Sequence, residues 1–174
     1  IQQIPNLKKA QRKEVLEYME LIVDERNQSD ARYIAFNNGI LDVVTGKMQP
    51  FSPDLVVTNR IPWDYVPDAY NELTDSTLNK LACNDAPIRA LLEECIGYCF
   101  YRRNELGKAF ILTGDKSNGK STFLDMVKAV LGEENVSALD LKELGDRFST
   151  SMMFGKLANI GDDIGSDYIA NVAA

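Results

Sequence analysis

The stretch Lys108-Ala109-Phe110-Ile111-Leu112-Thr113-Gly114-Asp115-Lys116-Ser117-Asn118-Gly119-Lys120-Ser121-Thr122 decides the fold class. Its first six residues form a short apolar run of buried-strand type. Beyond Thr122, Phe123, Leu124, Met126, Val127, Val130 and Leu131 follow helical spacing up to a stop at Gly132. Between the two, Gly114 to Ser121 matches Gly-x-x-x-x-Gly-Lys-Ser/Thr without a gap, where a phosphate loop needs to be, between a strand and a helix N-terminus. At ordinary residue usage such a match arises by chance in under about 1% of chains of this length.

The chemistry of the motif follows from its residue types. Glycine at 114 and 119 lets the backbone curl so that successive N–H groups point inward, and the positive end of the following helix reinforces the resulting anion nest. Lys120 reaches the β- and γ-phosphates as a point charge, and the Ser121 hydroxyl can bind Mg²⁺. The nucleotide-binding set is therefore Gly114, Asp115, Lys116, Ser117, Asn118, Gly119, Lys120, Ser121 and Thr122, with ATP and Mg²⁺ as cofactors.

Such a loop needs a carboxylate at the end of a neighbouring buried strand. Lys156-Leu157-Ala158-Asn159-Ile160-Gly161-Asp162-Asp163 supplies one: a small apolar strand ending in paired carboxylates. Asp162 is assigned to the metal's coordination sphere, Asp163 to positioning or deprotonating the attacking water, and Asn159 to the strand itself rather than to a sensor role. Lys120, Asp162 and Asp163 are the catalytic candidates, and Ser121 and Asp162 the metal ligands.

Working outward, apolar residues between Gln11 and Asp24 recur at helical spacing, predicting an amphipathic helix. Tyr33-Ile34-Ala35-Phe36 and Ile40-Leu41-Asp42-Val43-Val44, split by Asn37-Asn38-Gly39, predict a β-hairpin. Pro50, Pro53, Pro62 and Pro67 then predict an irregular stretch with short edge strands. Thr74-Asp75-Ser76 is the expected cap of a helix through Ala82, and Asp85-Ala86-Pro87 opens a second, with Cys95 and Cys99 on its apolar face as core thiols. Arg102-Arg103 is read as a helix C-terminus that favours cations, with a nucleic-acid contact as the alternative. The composition shifts near Asn104-Glu105-Leu106-Gly107. The reading is thus an α/β chain: a helix-rich accessory domain with a β-hairpin over 1–105, then an ATPase unit over 106–174 that is incomplete.

Composition excludes several classes. Histidine is absent from the 174 residues, so no imidazole base, His-ligated metal or Ser/His/Asp triad can operate within the chain. Three cysteines without Cys-x-x-Cys spacing suit neither a disulfide framework nor a tetrahedral zinc site, and point to a reducing, cytoplasmic setting. No apolar run is long enough to span a membrane, and the N-terminus has no signal-peptide pattern. A net charge of -7 gives no global field for nucleic acid, so any DNA contact must be local. Both ends are expected to be cuts from a longer protein.

With its Asn-Gly-Lys-Ser-Thr core, its spacing to Asp162-Asp163, and the upstream Phe36-Asn37-Asn38-Gly39-Ile40-Leu41-Asp42 and Ile96-Gly97-Tyr98, the chain resembles the phage/plasmid primase-helicase family. That family belongs to the superfamily 3 helicases and is shared with poxvirus primase-helicases. Lys116 departs from the many members that carry Gly there. The resemblance implies the first half of an AAA+ type motor, assembled as a homo-oligomeric, hexameric ring that hydrolyses ATP between subunits and moves along single-stranded or forked DNA during replication. It also implies that the sensor strand, the pore hairpin and the arginine finger lie beyond Ala174, and any primase site before Ile1.

Two alternatives remain: a P-loop small-molecule kinase, and an NTP-binding assembly module without motor activity. Arg147 is the only arginine beyond the loop, which leaves no separate Arg-rich lid for a kinase. A GTPase is disfavoured because the only Asn-Lys pair, Asn79-Lys80, precedes the loop and continues Leu81-Ala82.

Overall fold

Asn37 and Asn38 make a two-residue turn between the first two strands. In the computed structural model, which describes residues 8–22, 26–145 and 149–161, strands β1 (Tyr33–Phe36) and β2 (Gly39–Asp42) pair antiparallel with Phe36 opposite Gly39. The turn is therefore Asn37-Asn38, with Gly39 the first residue of β2. Gly39 has φ +148°, and a Cβ there would lie 2.7 Å from the Gln49 carbonyl oxygen, so the register requires glycine. Strand β3 (Lys47–Gln49) adds a third antiparallel edge, and β2, buried along its whole length, is the centre of the sheet.

The proline-rich stretch that follows is irregular as expected, tied to the sheet by a parallel bridge between Ala35 and Arg60. Helix α2 (Glu72–Leu81) starts earlier than Thr74: its cap is Asn71, whose Oδ1 accepts the Thr74 N–H at 2.9 Å. Asparagine ranks with the best cap residues, and capping at 71 brings Glu72 into the first turn, where the helix dipole favours it. Helix α3 (Ala86–Cys99) opens as predicted, with Asp85 Oδ1 accepting the Ile88 N–H at 3.0 Å and a proline in the first turn. Helix α1 (Lys9–Ile22) falls within the predicted span apart from its first two residues, and none of its residues is buried.

Helix α4 (Lys120–Leu131) ends where the sequence places its stop, at Gly132 with φ +83°. Its buried residues Phe123, Val127 and Leu131 recur every four positions and face a core shared with Ile61, Leu78, Cys95 and Ile160. That core draws on residues from both sides of Asn104. The proline stretch also closes the helix's C-terminal end. Trp63 Nε1 donates to the Ala129 carbonyl at 2.8 Å, while the buried Asn135 donates from Nδ2 to the carbonyls of Leu131 (2.8 Å) and Arg60 (2.9 Å). Carbonyls that the helix leaves open are thereby satisfied by side chains from elsewhere in the chain.

After α4 come two short parallel strands, β4 (Val136–Ser137) and β5 (Ala158–Asn159), with Ser137 opposite Asn159. The chain is thus mixed α/β, with helices and two small sheets. Two sequence expectations need correction. The run Lys108 to Thr113 forms no strand, because no other strand lies alongside it among the described residues; Phe110 and Ile111 are 44% and 68% exposed. The strand expected over Lys156 to Ile160 shrinks to Ala158–Asn159, where β4 gives it a partner.

Candidate functional site

Residues Gly114 to Gly119 lead directly into the first turn of α4, and their backbone is curled by three positive φ angles: Gly114 (+148°), Ser117 (+59°) and Gly119 (+89°). At two of these positions an added side chain would also make a neighbouring side chain shift. A Cβ on Gly114 would lie 2.0 Å from Asn118 Nδ2, and one on Gly119 would lie 2.3 Å from Leu81 Cδ2. The first glycine is therefore roofed by Asn118, and the second is pressed against the last residue of α2.

Lys120, the first residue of α4, folds its side chain back over this loop. Its Nζ donates to the carbonyls of Gly114 (2.9 Å) and Asp115 (2.8 Å) and to Asn118 Oδ1 (3.0 Å). An ammonium has three protons, and all three are engaged. Whereas α2 and α3 have side-chain caps, no side chain caps the start of α4, and no acidic residue stands in its first turn. Asp115, Lys116, Ser117, Asn118, Ser121 and Thr122 are exposed, and Gly119 and Lys120 half-buried. Backbone N–H groups at a helix start and the Ser121 and Thr122 hydroxyls form a donor set open to solvent, beside an ammonium held by the loop's own oxygens. That set fits a polyphosphate.

The structure brings together every loop residue singled out in the sequence. Asp162 and Asp163 lie outside the described residues, as does Arg147, so their distance from Lys120 is not part of the geometry. Among the described residues no group of three His, Cys, Asp or Glu is arranged to hold a metal. Asn159 has the structural role expected of it: its Oδ1 accepts from Ser137 Oγ and from the Leu139 N–H, each at 2.9 Å, and its Nδ2 donates to the Leu139 carbonyl at 2.9 Å. It splints the chain leaving β4 to β5, just before the two carboxylates.

Arg102 is engaged within the fold. Its Nη2 donates to the carbonyls of Ser29, Asp30 and Tyr33 at 2.7 to 3.2 Å, and burial holds its pKa below the ordinary arginine value. Arg103 pairs with Glu105 at 3.0 Å. Cys95 is buried, and burial pushes the thiol of the half-buried Cys99 up to about 11, so both stay protonated core groups. An apolar cleft of about 550 Å³ opens between α3, α4 and the run 108–112, lined by Cys99, Phe110, Leu112, Leu124 and Leu157. It is separate from the phosphate loop: none of its lining residues falls between Gly114 and Thr122. Sequence reasoning missed Leu81 as a residue that shapes the loop, and it named Asn118 only as a nucleotide contact. Leu81 reads only as the last apolar residue of a helix, and its contact with Gly119 depends on how α2 packs. Asn118 reads as a variable position within the motif, with no pattern marking its reach to both Gly114 and Lys120.

The comparisons with known proteins bear on the same regions. Residues 2–97, over half of the chain, match the model of a family described as D5 N terminal like. The chain belongs to the D5 N-terminal-like family. In this D5 N-terminal-like chain, residues 112–173, which include the loop and α4, match a second family, described as one of unknown function. A protein of Acanthamoeba polyphaga mimivirus named "Putative helicase" is 25% identical over 130 residues, which cover 72% of this chain and 13% of that protein. The D5 N-terminal-like chain thus corresponds to a small part of its viral relative. Both comparisons agree with the resemblance to a viral type of primase-helicase read from the sequence.

Proposed function

We propose that the chain binds ATP with Mg²⁺ at Gly114 to Thr122 and belongs to the ATP-dependent DNA helicase motor of a phage or plasmid type replication primase-helicase. In this reading residues 106–174 are the first half of an AAA+ type, superfamily 3 ATPase domain, and residues 1–105 are the accessory domain preceding it. The observation that carries the reading is the Lys120 ammonium at the uncapped start of α4, gathered over a loop whose two glycines hold positive φ angles. The family match and the viral relative's name support the helicase context.

Each residue then has a chemical task. Backbone N–H groups of the loop and of the first turn of α4 hold the phosphate oxygens, and Lys120 neutralises charge on the β- and γ-phosphates. Ser121 and Asp162 hold Mg²⁺, which supplies positive charge to the phosphoryl oxygens when bound. Asp163 orients or deprotonates the attacking water. Hexameric ring assembly and travel along single-stranded or forked DNA belong to the whole protein, where several small basic patches facing one pore would sum despite the chain's net charge of -7.

Calorimetric titration with ATP and Mg²⁺ tests the site: the chain binds, Asp163→Asn binds equally, and in the whole protein Asp163→Asn loses DNA-stimulated hydrolysis. Hydrolysis by the whole protein that ignores single-stranded DNA would support the kinase or the assembly-module reading instead. Normal turnover in Asp163→Asn would place the water-activating role on another carboxylate.

A further inference from the structure

Lys120 has no proton left to offer a phosphate. Two of its three acceptors, the Gly114 and Asp115 carbonyls, belong to the loop backbone; the third, Asn118 Oδ1, belongs to a side chain that can rotate away. The other end of the same amide sits over Gly114, with Nδ2 2.0 Å and Cγ 3.3 Å from where a Cβ would be. Left-handed backbone at Ser117 and Gly119, on either side of Asn118, accompanies this inward reach. The amide therefore spans the loop from its first glycine to its lysine.

We propose that Asn118 is a latch that holds Lys120 against the loop in the nucleotide-free state, and that a phosphate oxygen enters by replacing Asn118 Oδ1 as the third acceptor. This rests on the reading of Gly114 to Thr122 as a phosphate site. It changes the part played by Asn118 from a ligand of the nucleotide to a positioning residue that competes with it. The exchange conserves hydrogen bonds: Lys120 keeps both backbone acceptors and trades a neutral amide oxygen for an anionic one, the stronger partner. Taking the typical net strength of a protein hydrogen bond for this solvent-exposed ammonium–amide pair, the lysine is unlatched about one-sixth of the time, so the latch weakens apparent affinity about 6-fold.

The experiment measures binding of ATP with Mg²⁺ to the 174-residue chain by calorimetry, and its rates by stopped flow. The proteins are the wild type, Asn118→Ala, Asn118→Asp and Lys120→Ala, each checked for an unchanged unfolding midpoint. The latch requires Asn118→Ala to bind about 3- to 10-fold tighter, with the gain in the association rate and the dissociation rate within about twofold. A merely structural role for Asn118 would raise the dissociation rate instead. Asn118→Asp, which sets a carboxylate opposite Lys120 and repels the incoming phosphate, should bind at least about 10-fold weaker and carries the test alone if Asn118→Ala shifts the unfolding midpoint. Unchanged or weaker binding by a folded Asn118→Ala overturns the latch, and so does undiminished binding by Asn118→Asp. The phosphate-site reading survives either result so long as the wild type binds and Lys120→Ala does not. No binding by the wild type or by either Asn118 variant overturns both.

Discussion

Replacing Gly119 by alanine strikes the point where the end of α2 meets the loop before α4. Two separate costs follow from the structure. A φ of +89° is unfavourable for any residue with a Cβ, by about 1–2 kcal/mol. The added methyl also lies 2.3 Å from Leu81 Cδ2, a half-buried atom packed against the core, and relieving such an overlap costs about 1–3 kcal/mol. Gly119→Ala should therefore lose about 3 kcal/mol of stability, read from urea unfolding followed by circular dichroism. The two costs separate in a double-mutant cycle. Leu81→Ala, destabilising by about 2 kcal/mol itself, removes the obstructing methyl, so that Gly119→Ala in its background should cost only the backbone part, about 1 kcal/mol. A coupling of about 1–2 kcal/mol is the expected result. Strict additivity would refute the reasoning, because it would mean that Leu81 does not touch the loop in solution.

Asn135→Ala should lower stability by about 2 kcal/mol and the melting temperature by about 4–8 °C in differential scanning calorimetry, because it strips the buried Leu131 carbonyl and the part-buried Arg60 carbonyl of their donor. Cys99 should make stability pH-dependent. Its thiol is raised in the folded state from an ordinary value near 9 to about 11, so the stabilisation is complete below about pH 9 and is lost as pH rises towards 11. With a discount for partial exposure this amounts to about 1–2 kcal/mol, read as the difference between wild-type and Cys99→Ala stability profiles in urea across that window. Wild-type and Cys99→Ala profiles that run parallel would assign the loss to other groups. Trp63→Phe should cost about 1 kcal/mol through the Ala129 carbonyl, measured by the same unfolding titration.

How much of this was legible in the sequence depended on the range of the interaction. Asn37-Asn38-Gly39, Asp85-Ala86-Pro87 and Gly132 are local signals, each fixing a turn, a cap or a stop through its own backbone preferences, and each stands where expected. The curled backbone from Gly114 to Gly119 is legible for the same reason, since its glycines and lysine lie within a few residues of one another. The cap of α2 went astray because Asn71 and Thr74 are both competent caps, and choosing between them depends on how the chain arrives from Pro67. Lys108 to Thr113 has a strand's composition, but a strand exists only beside another, and composition does not say where that neighbour is. Leu81 against Gly119 and Trp63 on the end of α4 come from packing between residues that no spacing rule connects.

The central claim is that Gly114 to Thr122 is a phosphate site worked by Lys120. Amide chemical-shift mapping of the chain during titration with ATP and Mg²⁺ tests it most directly, with Lys120→Ala as the paired sample. The account predicts saturable shifts concentrated at Gly114, Gly119, Ser121 and Thr122 in the wild type, and none at the same nucleotide concentrations in a folded Lys120→Ala. Shifts centred on the apolar cleft beside Phe110 and Leu157, or an unchanged titration in Lys120→Ala, would contradict it.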